Sequence, residues 1–459
     1  MAKRKKKSPV ARLLDRYFLA RVGSSAAVID TETARDGLPF LTEAAFKQLH
    51  RHWPPIGNTY VTTLWATDPR RQVFEKGVTF DPGGTEKTGV YNLWKGFPIL
   101  PVEGDCSEFI DFLWRDICGE DDENFQYLLT FFAHLVQYPG DKPGVALVLK
   151  GLKGVGKDTA ILLLRALVGI HFAYGTCTED ILGKFNTLLA QALLVHLEEA
   201  TWGGDTRAAK KFQGLITSET IRVEPKGIDA YTTPNFARFL ISTNDEWAVP
   251  AGGDDERRYA IIETPRHWVD DGARDEAWKQ DKIRHFKGIH TALKDPPTLA
   301  AWMHYLCHWK RADGLDLLTA VRIPPRNAAL AEQKESGFSG MDGFWFDALT
   351  KGSFAEDLVW NDKKPLSVSM DEIMRNLKFW HLGRKGERNL PSAKSIGKTL
   401  AKIAPSVSKD RETSGSRDYY YTLPPITVAR EEFARAKGIS FDHLFDKDAQ
   451  TDRDIFHLV

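Results

Sequence analysis

The chain has 459 residues, 42% of them hydrophobic and 27% charged, with a formal net charge of zero. That length is a soft prior for about three domains, and the composition is that of an ordinary globular protein whose parts can each bury a core. Zero net charge excludes a globally basic nucleic-acid binder, so any site for a polyanion must come from local clustering.

The cysteines are Cys106, Cys118, Cys177 and Cys307, with no C-x-x-C pair. A reduced, cytosolic protein without structural metal is expected. Apolar runs such as AILLLRALVGI are too short and interrupted to span a bilayer, so no membrane partner is expected.

The chain opens on a basic run from Lys3 to Lys7 with no apolar signal core behind it. It reads as a solvated tail or as a non-specific DNA tether. Residues 1–100 mix short strands and helices around the turn signals PPIG and DPGG. Residues 101–143 read as two helices, a segment suited to oligomerisation. Phe109, Phe112, Leu113, Trp114 and Ile117 recur at helical spacing in the first, and Phe125, Leu128, Leu129, Phe132, Leu135 and Val136 in the second.

Residues 144–265 alternate strand and helix, which predicts an α/β domain on a central parallel sheet. VALVLKG is a short buried-strand run, and DTAILLLRALVG is helical. Between them lies GLKGVGKDT, which fits the phosphate-loop pattern G-x-x-x-x-G-K-[ST] except at Asp158. Its place between a strand and a helix start is what the chemistry needs. Glycines let backbone N–H groups wrap phosphates, and the helix N-terminus adds partial positive charge. Gly151, Gly154, Val155, Gly156, Lys157, Asp158 and Thr159 are the expected ATP contacts. ALLVHLEEA ends in Glu198 and Glu199: Glu198, with Asp158 or Thr159, is expected to hold Mg²⁺, and Glu199 to polarise the attacking water. Asp158 acting through water is the preferred arrangement. FLISTND places Asn244 at a strand tip, suited to sense a terminal phosphate. Arg257 and Arg258 precede another apolar run, and one of them is expected to reach a neighbouring subunit's nucleotide.

Residues 266–350 read as mostly helical, and 351–459 as a small separate domain. There, two helices followed by a hairpin suggest a winged helix. Lys394, Lys398 and Lys402 form one stripe on the second helix, while Ile396, Leu400 and Ile403 fall on another face. Lys409, Arg411 and Arg417 lie in the wing. This is the footprint of a duplex or forked DNA reader, or of a solvated interaction module.

The order from Gly151 to Asn244 is phosphate loop, strand ending in EE, basic hairpin, strand ending in N. It resembles the superfamily 3 helicases, AAA+-type motors of small viruses, phages and plasmids, and in particular the helicase part of phage and mobile-element primase–helicases. YNLWKGFPILPVEGD and DERRY share the likeness, which covers roughly residues 90–265. The resemblance implies an AAA+-like fold, a hexameric ring and a channel hairpin with Lys226 and Gly227 at its tip. Arg222, Lys210 and Lys211 are weaker contacts to single-stranded DNA in that channel. The expected activity is an ATP-dependent replicative DNA helicase of a phage or mobile element. The alternative is an ATP-switched origin-binding or loading protein that does not unwind. Residues 1–100 offer no closely spaced aspartates with a downstream histidine, so a separate primase or polymerase is expected as partner.

Overall fold

The computed structural model describes all residues except 1–6, 33–38, 86, 177–180, 184–185, 199–205, 226–228, 246–248, 250–256, 356–357, 383–390, 412–418 and 447–459. The chain forms two compact units: Met1–Ala248 with Arg257–Pro325, and Val249–Glu256 with Arg326–Val459. Residues 326–350 thus belong to the second unit, and the division falls earlier than the step at 350/351 read from the sequence.

In the first unit, α1 (Pro9–Arg16), β1 (Tyr17–Val22), β2 (Ser25–Asp30), β3 (Phe40–Leu41), α2 (Glu43–Leu49), α3 (Val61–Thr67) and β4 (Val73–Phe74) build a four-stranded sheet with flanking helices. Its strand order is β3-β2-β1-β4. The short parallel pair β5 (Gly77–Thr79) and β6 (Val90–Asn92) follows. The helical segment is α4 (Ser107–Phe112), a π turn over Leu113–Ile117, and α5 (Asp122–Gln137). Every residue of α5 from Tyr127 to Val136 is buried, as expected of a helix apolar all round. Its apolar surface is therefore used inside the unit: one continuous core runs from Ala20 through α5 to Val321.

At the centre stands a five-stranded parallel sheet. Its strands are β7 (Ala146–Lys150), β8 (Phe172–Gly175), β9 (Leu194–Glu198), β12 (Arg238–Thr243) and β13 (Tyr259–Glu263), in the order β13-β7-β12-β9-β8. Parallel strands covered on both faces read as continuous apolar runs, and ALVL of β7 and FLIS of β12 are buried throughout. The helix α6 (Lys157–Val168) follows β7 and packs Ala160, Leu163, Leu164 and Leu167 into the core. Gly169, at φ +55° and ψ −121°, ends it in a backbone conformation that glycine adopts without steric cost. Between β9 and β12 lie α7 (Thr206–Thr217) and the antiparallel hairpin β10 (Thr220–Val223) and β11 (Tyr231–Pro234). The helices α8 (Glu276–Ala292), α9 (Pro296–His308) and α10 (Leu317–Ala320) complete the unit. Among the described residues, no helix is long and apolar enough to cross a membrane.

The second unit has its own core around Trp345, Trp360, Ile373 and Phe433. It begins with α11 (Ala328–Ser336) and α12 (Gly340–Lys351), then the short strands β14 (Ser353–Ala355) and β15 (Leu358–Val359). A three-stranded antiparallel sheet, β16-β18-β17, is built from β16 (Leu366–Ser369), β17 (Ser408–Arg411) and β18 (Tyr419–Leu423). The helices α13 (Met370–Leu382) and α14 (Ala393–Ile403) lie between β16 and β17 in the chain, and α15 (Ile426–Lys437) and α16 (Phe441–Phe445) close it. On α14 the apolar spacing works as read: Ile396, Leu400 and Ile403 are buried, and Lys394, Lys398 and Lys402 are exposed.

Candidate functional site

All five central strands point the same way, so the residues that follow them gather at one end of the sheet. In open α/β sheets that end holds ligands. The loop Gly151–Gly156 leaves β7 there, fixed from both sides. The Gly151 amide donates to the Thr243 carbonyl of β12 at 3.1 Å, and the Thr264 amide after β13 donates to the Lys150 carbonyl at 2.8 Å. A side chain at Gly151 would collide with the Thr264 hydroxyl. Gly156 has φ +107°, and a Cβ there would press on the rings of Phe112 and Phe286 at 3.0 and 3.1 Å. Val155 turns inward and is buried, anchoring the loop.

Lys157 opens α6 and is itself buried, at 8% exposure. Its Nζ donates to the Leu152 carbonyl at 2.9 Å, to the Gly151 carbonyl and to Asn244 Oδ1 at 2.8 Å. Residues 157 and 244, from different strand ends, thus touch. Both line a cavity of about 510 Å³ shared with Lys153, Gly154, Gly156, Asp158, Thr159 and Glu198. Asp158 is exposed at its mouth, while Thr159 is buried. The Asp158 carboxyl is held above the usual carboxylate range. Partial burial is the main cause, the charge of Glu198 adds to it, and Lys157 opposes it. Glu198 accepts from the Tyr174 hydroxyl of β8. Beneath the cavity, His196 Nε2 and Ser242 Oγ lie 2.8 Å apart, and burial pushes the imidazole down to about 4. Glu199 lies outside the described residues.

The sequence reading missed the opposite wall of the cavity. Lys282, Phe286 and His290 of α8 line it. Their spacing of four marks one helix face, a visible signal, but nothing local says which way that face points. Ser242 and Tyr174 were also missed: Ser242 lies inside FLISTND, and Tyr174 on β8, a strand the sequence reading did not single out.

Arg257 and Arg258 are not brought to this loop in their own chain. They precede β13, and the Arg258 carbonyl accepts from the Ala146 amide at the start of β7, 2.8 Å away. They therefore sit at the far end of the parallel sheet. There they line a second cavity of about 680 Å³ with Lys142, Arg322, Asp141 and Glu219.

Of the hairpin residues, Lys226 and Gly227 lie outside the described residues. Arg222 on β10 is exposed and pairs with Glu224 at 3.1 Å. Lys210 is exposed, and Lys211 donates to the Leu182 carbonyl. In the second unit, β17 is exposed along its length. It pairs Lys409 with Tyr421 and Arg411 with Tyr419. Lys409 Nζ stands 3.8 Å over the Tyr419 ring, and Arg411 5.7 Å from it. Arg417 lies outside the described residues.

A family model matches this region. Residues 149–258, from the end of β7 to the arginine pair, match the model of a family of unknown function, DUF5906. A curated relative is the DNA primase-polymerase of Nitratiruptor phage NrS-1, 26% identical over 191 residues; the match covers 40% of this chain and 26% of that protein. The chain thus spans about a quarter of the length of the relative it matches. Among solved structures, the apo C-terminal region of NrS-1 superposes with a TM-score of 0.61 at 15% identity, covering 92% of this chain and all of that one. An A-form apo structure of the same region gives 0.60 at 16% identity, over 90% and 98%. These likenesses establish a shared mixed α/β fold around a central parallel sheet.

Proposed function

We propose that the first unit is a Mg²⁺-dependent ATPase that drives a ring-shaped DNA helicase in phage replication. The observation that carries this reading is convergence. Lys157, Glu198 and Asn244 are far apart in sequence, yet all line one cavity beside a glycine loop at a helix N-terminus. The likeness to a phage primase-polymerase supports a replication setting, and the strand–loop–helix geometry supports reading the fold as an AAA+-like phosphate-loop domain.

The residues present fit the nucleotide and its metal. Loop amides and the α6 N-terminus offer donors and positive potential to phosphates. Lys157 supplies a cation on a flexible stem. Glu198 and Asp158 are the carboxylates that would hold Mg²⁺, and the ion would offset the charge of the phosphates. Asp158 is raised by burial first and by the charge of Glu198 second, and a bound cation would favour both carboxylates in their charged form. Asn244 is assigned to sense a terminal phosphate, a role its contact with Lys157 supports. Glu199, next in sequence to Glu198, remains the assigned residue for orienting water. Arg257 or Arg258 of a neighbouring copy is assigned to the same reaction in trans.

DNA contacts are proposed on two surfaces. The β10–β11 hairpin, with Lys226 and Arg222, is assigned to single-stranded DNA in a hexameric ring. The exposed lysines of α14, and the Lys409–Tyr419–Arg411 group of β17 and β18, are assigned to duplex or forked DNA in a winged-helix-like reading of this unit. Backbone charge and aromatic faces together suit such contacts.

The test is ATP turnover with and without single-stranded DNA, run beside strand displacement on a forked duplex. Wild-type protein is expected to hydrolyse ATP faster with DNA and to displace the strand. Lys157→Ala is expected to lose about 10²–10³-fold in turnover, the scale of removing one preorganised group that stabilises developing charge. Unchanged turnover in Lys157→Ala overturns the nucleotide site. DNA-stimulated turnover without displacement overturns the helicase and leaves the loading protein.

A further inference from the structure

We infer that Lys282 is a second ligand for the nucleotide's phosphates, held over the glycine loop by α8 and offsetting the extra negative charge of Asp158. The inference rests on the nucleotide reading above and adds a residue that the loop motif does not contain. Helix α8 docks on the loop at two points one helical turn apart. Phe286 packs where a Cβ on Gly156 would meet its ring at 3.1 Å. One turn earlier, Lys282 Nζ stands where a Cβ on Gly154 would meet it at 3.0 Å. Gly154 has φ +81° and no side chain, so the ammonium faces loop backbone directly.

The ammonium is not a free surface charge. It donates to the Trp268 carbonyl and lies 5.4 Å over the Trp278 ring. An ammonium has three donors, so it can keep the Trp268 carbonyl and still turn N–H groups toward a phosphate. The charge balance calls for it. Lys153, Lys157, Asp158 and Glu198 line the cavity together. Two lysines balance two carboxylates, so Lys282, in the same lining, adds a cation beyond that balance. Where the usual motif places a neutral hydroxyl, this loop has a carboxylate, and Lys282 adds a cation to the same cavity lining.

The experiment is equilibrium binding to the full chain of ATP, ADP and inorganic tripolyphosphate, with melting temperature followed in parallel. Lys282→Met keeps the stem and removes the charge. It is expected to weaken ATP and tripolyphosphate about 10- to 100-fold, the scale of one charge-assisted contact. ADP should weaken less, and added salt should shrink the difference. Lys282→Arg is expected to retain most of the affinity. Asp158→Ser in the Lys282→Met background is expected to recover part of it. Should Lys282→Met not fold, Lys282→Gln, which can still donate to Trp268, carries the same expectations. Wild-type affinities in a folded neutral variant, with Lys157→Ala binding poorly, overturn the role of Lys282 and leave the nucleotide site standing. Wild-type affinities in both variants overturn both.

Discussion

The two ends of the central sheet carry cavities of similar size and unlike chemistry. At the end where the strands finish, a cavity of about 510 Å³ combines loop backbone, lysines, two carboxylates and an amide. At the end where they begin, about 680 Å³ is lined by Lys142, Arg257, Arg258 and Arg322 with Asp141 and Glu219. Much of the second end is already committed to its own backbone. Arg238 is fully buried and donates to the carbonyls of Tyr138 and Asp141 at 2.7 and 2.6 Å. Burial pushes its guanidinium down to about 9. Lys142 donates to the carbonyls of Leu215 and Ser218, and burial together with the charge of Arg238 pushes it down to about 7. The loop end sets its lysines against two carboxylates and an amide beside a glycine loop. The other end carries four basic side chains against two carboxylates, a lining suited to an anion that arrives already bound. The ring proposed above assigns these arginines to the next subunit's nucleotide.

The largest expected effect breaks or secures this pairing of ends. Arg257→Ala with Arg258→Ala is expected to lower DNA-stimulated ATP turnover by about 10³-fold or more, as for arginines supplied in trans. Nucleotide binding should stay near wild type, because the arginines lie a sheet length from their own loop. Mixing this variant with Lys157→Ala subunits should restore part of the activity, since a mixed ring contains some intact pairs. Wild-type turnover in the double variant would remove the arginine end from the reaction.

A smaller effect is expected at Asp158. Asp158→Ser should keep or raise turnover, and Asp158→Ala should lower it several-fold with a higher Mg²⁺ requirement. The basis is that one oxygen ligand near the metal is replaced in the first variant and lost in the second. A Mg²⁺ titration of both proteins checks this. An unchanged midpoint in Asp158→Ala would assign the metal to Glu198 and the buried Thr159 instead.

The difference between the ends also marks what the sequence could convey. Strand, glycine loop and helix start are contiguous, so local patterning and turn chemistry located them: α6 begins at Lys157, as read. That Glu198 and Asn244 share a cavity with Lys157 followed from parallel strands ending together. The same logic, carried further, places any residue just before a strand at the opposite end, so the position of Arg257 and Arg258 was latent in the reading. Lys282 was not legible. Its helix is charged on several faces, and only packing of Phe286 against Gly156 decides which face meets the loop. The packing of α5 into one core with Ala20, Ile29, Phe80 and Tyr91 was equally hidden, because the apolar surface of α5 suits a subunit interface and an interior alike.

The smallest expected effect separates the ends by their buried histidines. Behind the loop, burial pushes His196 down to about 4, with Glu198 opposing. At the arginine end, burial and then the charges of Arg238 and Arg322 push His134 down to about 2. An unfolded histidine takes up its proton near pH 6.5. Below that pH the unfolded chain binds more protons than the folded one, so stability is full above about 6.5 and falls on acidification. For His196 the loss runs from about pH 6.5 down to about 4, and for His134 it continues to about 2. Each contributes a slope of about 1.4 kcal/mol per pH unit inside its window. His196→Gln, which keeps a partner for Ser242, is expected to flatten the slope of unfolding free energy by about one proton between pH 6 and 5. Urea unfolding at those two pH values measures it. An unchanged slope would mean that His196 titrates in the folded protein near its ordinary value, and that the floor of the loop cavity is wetter than its burial indicates.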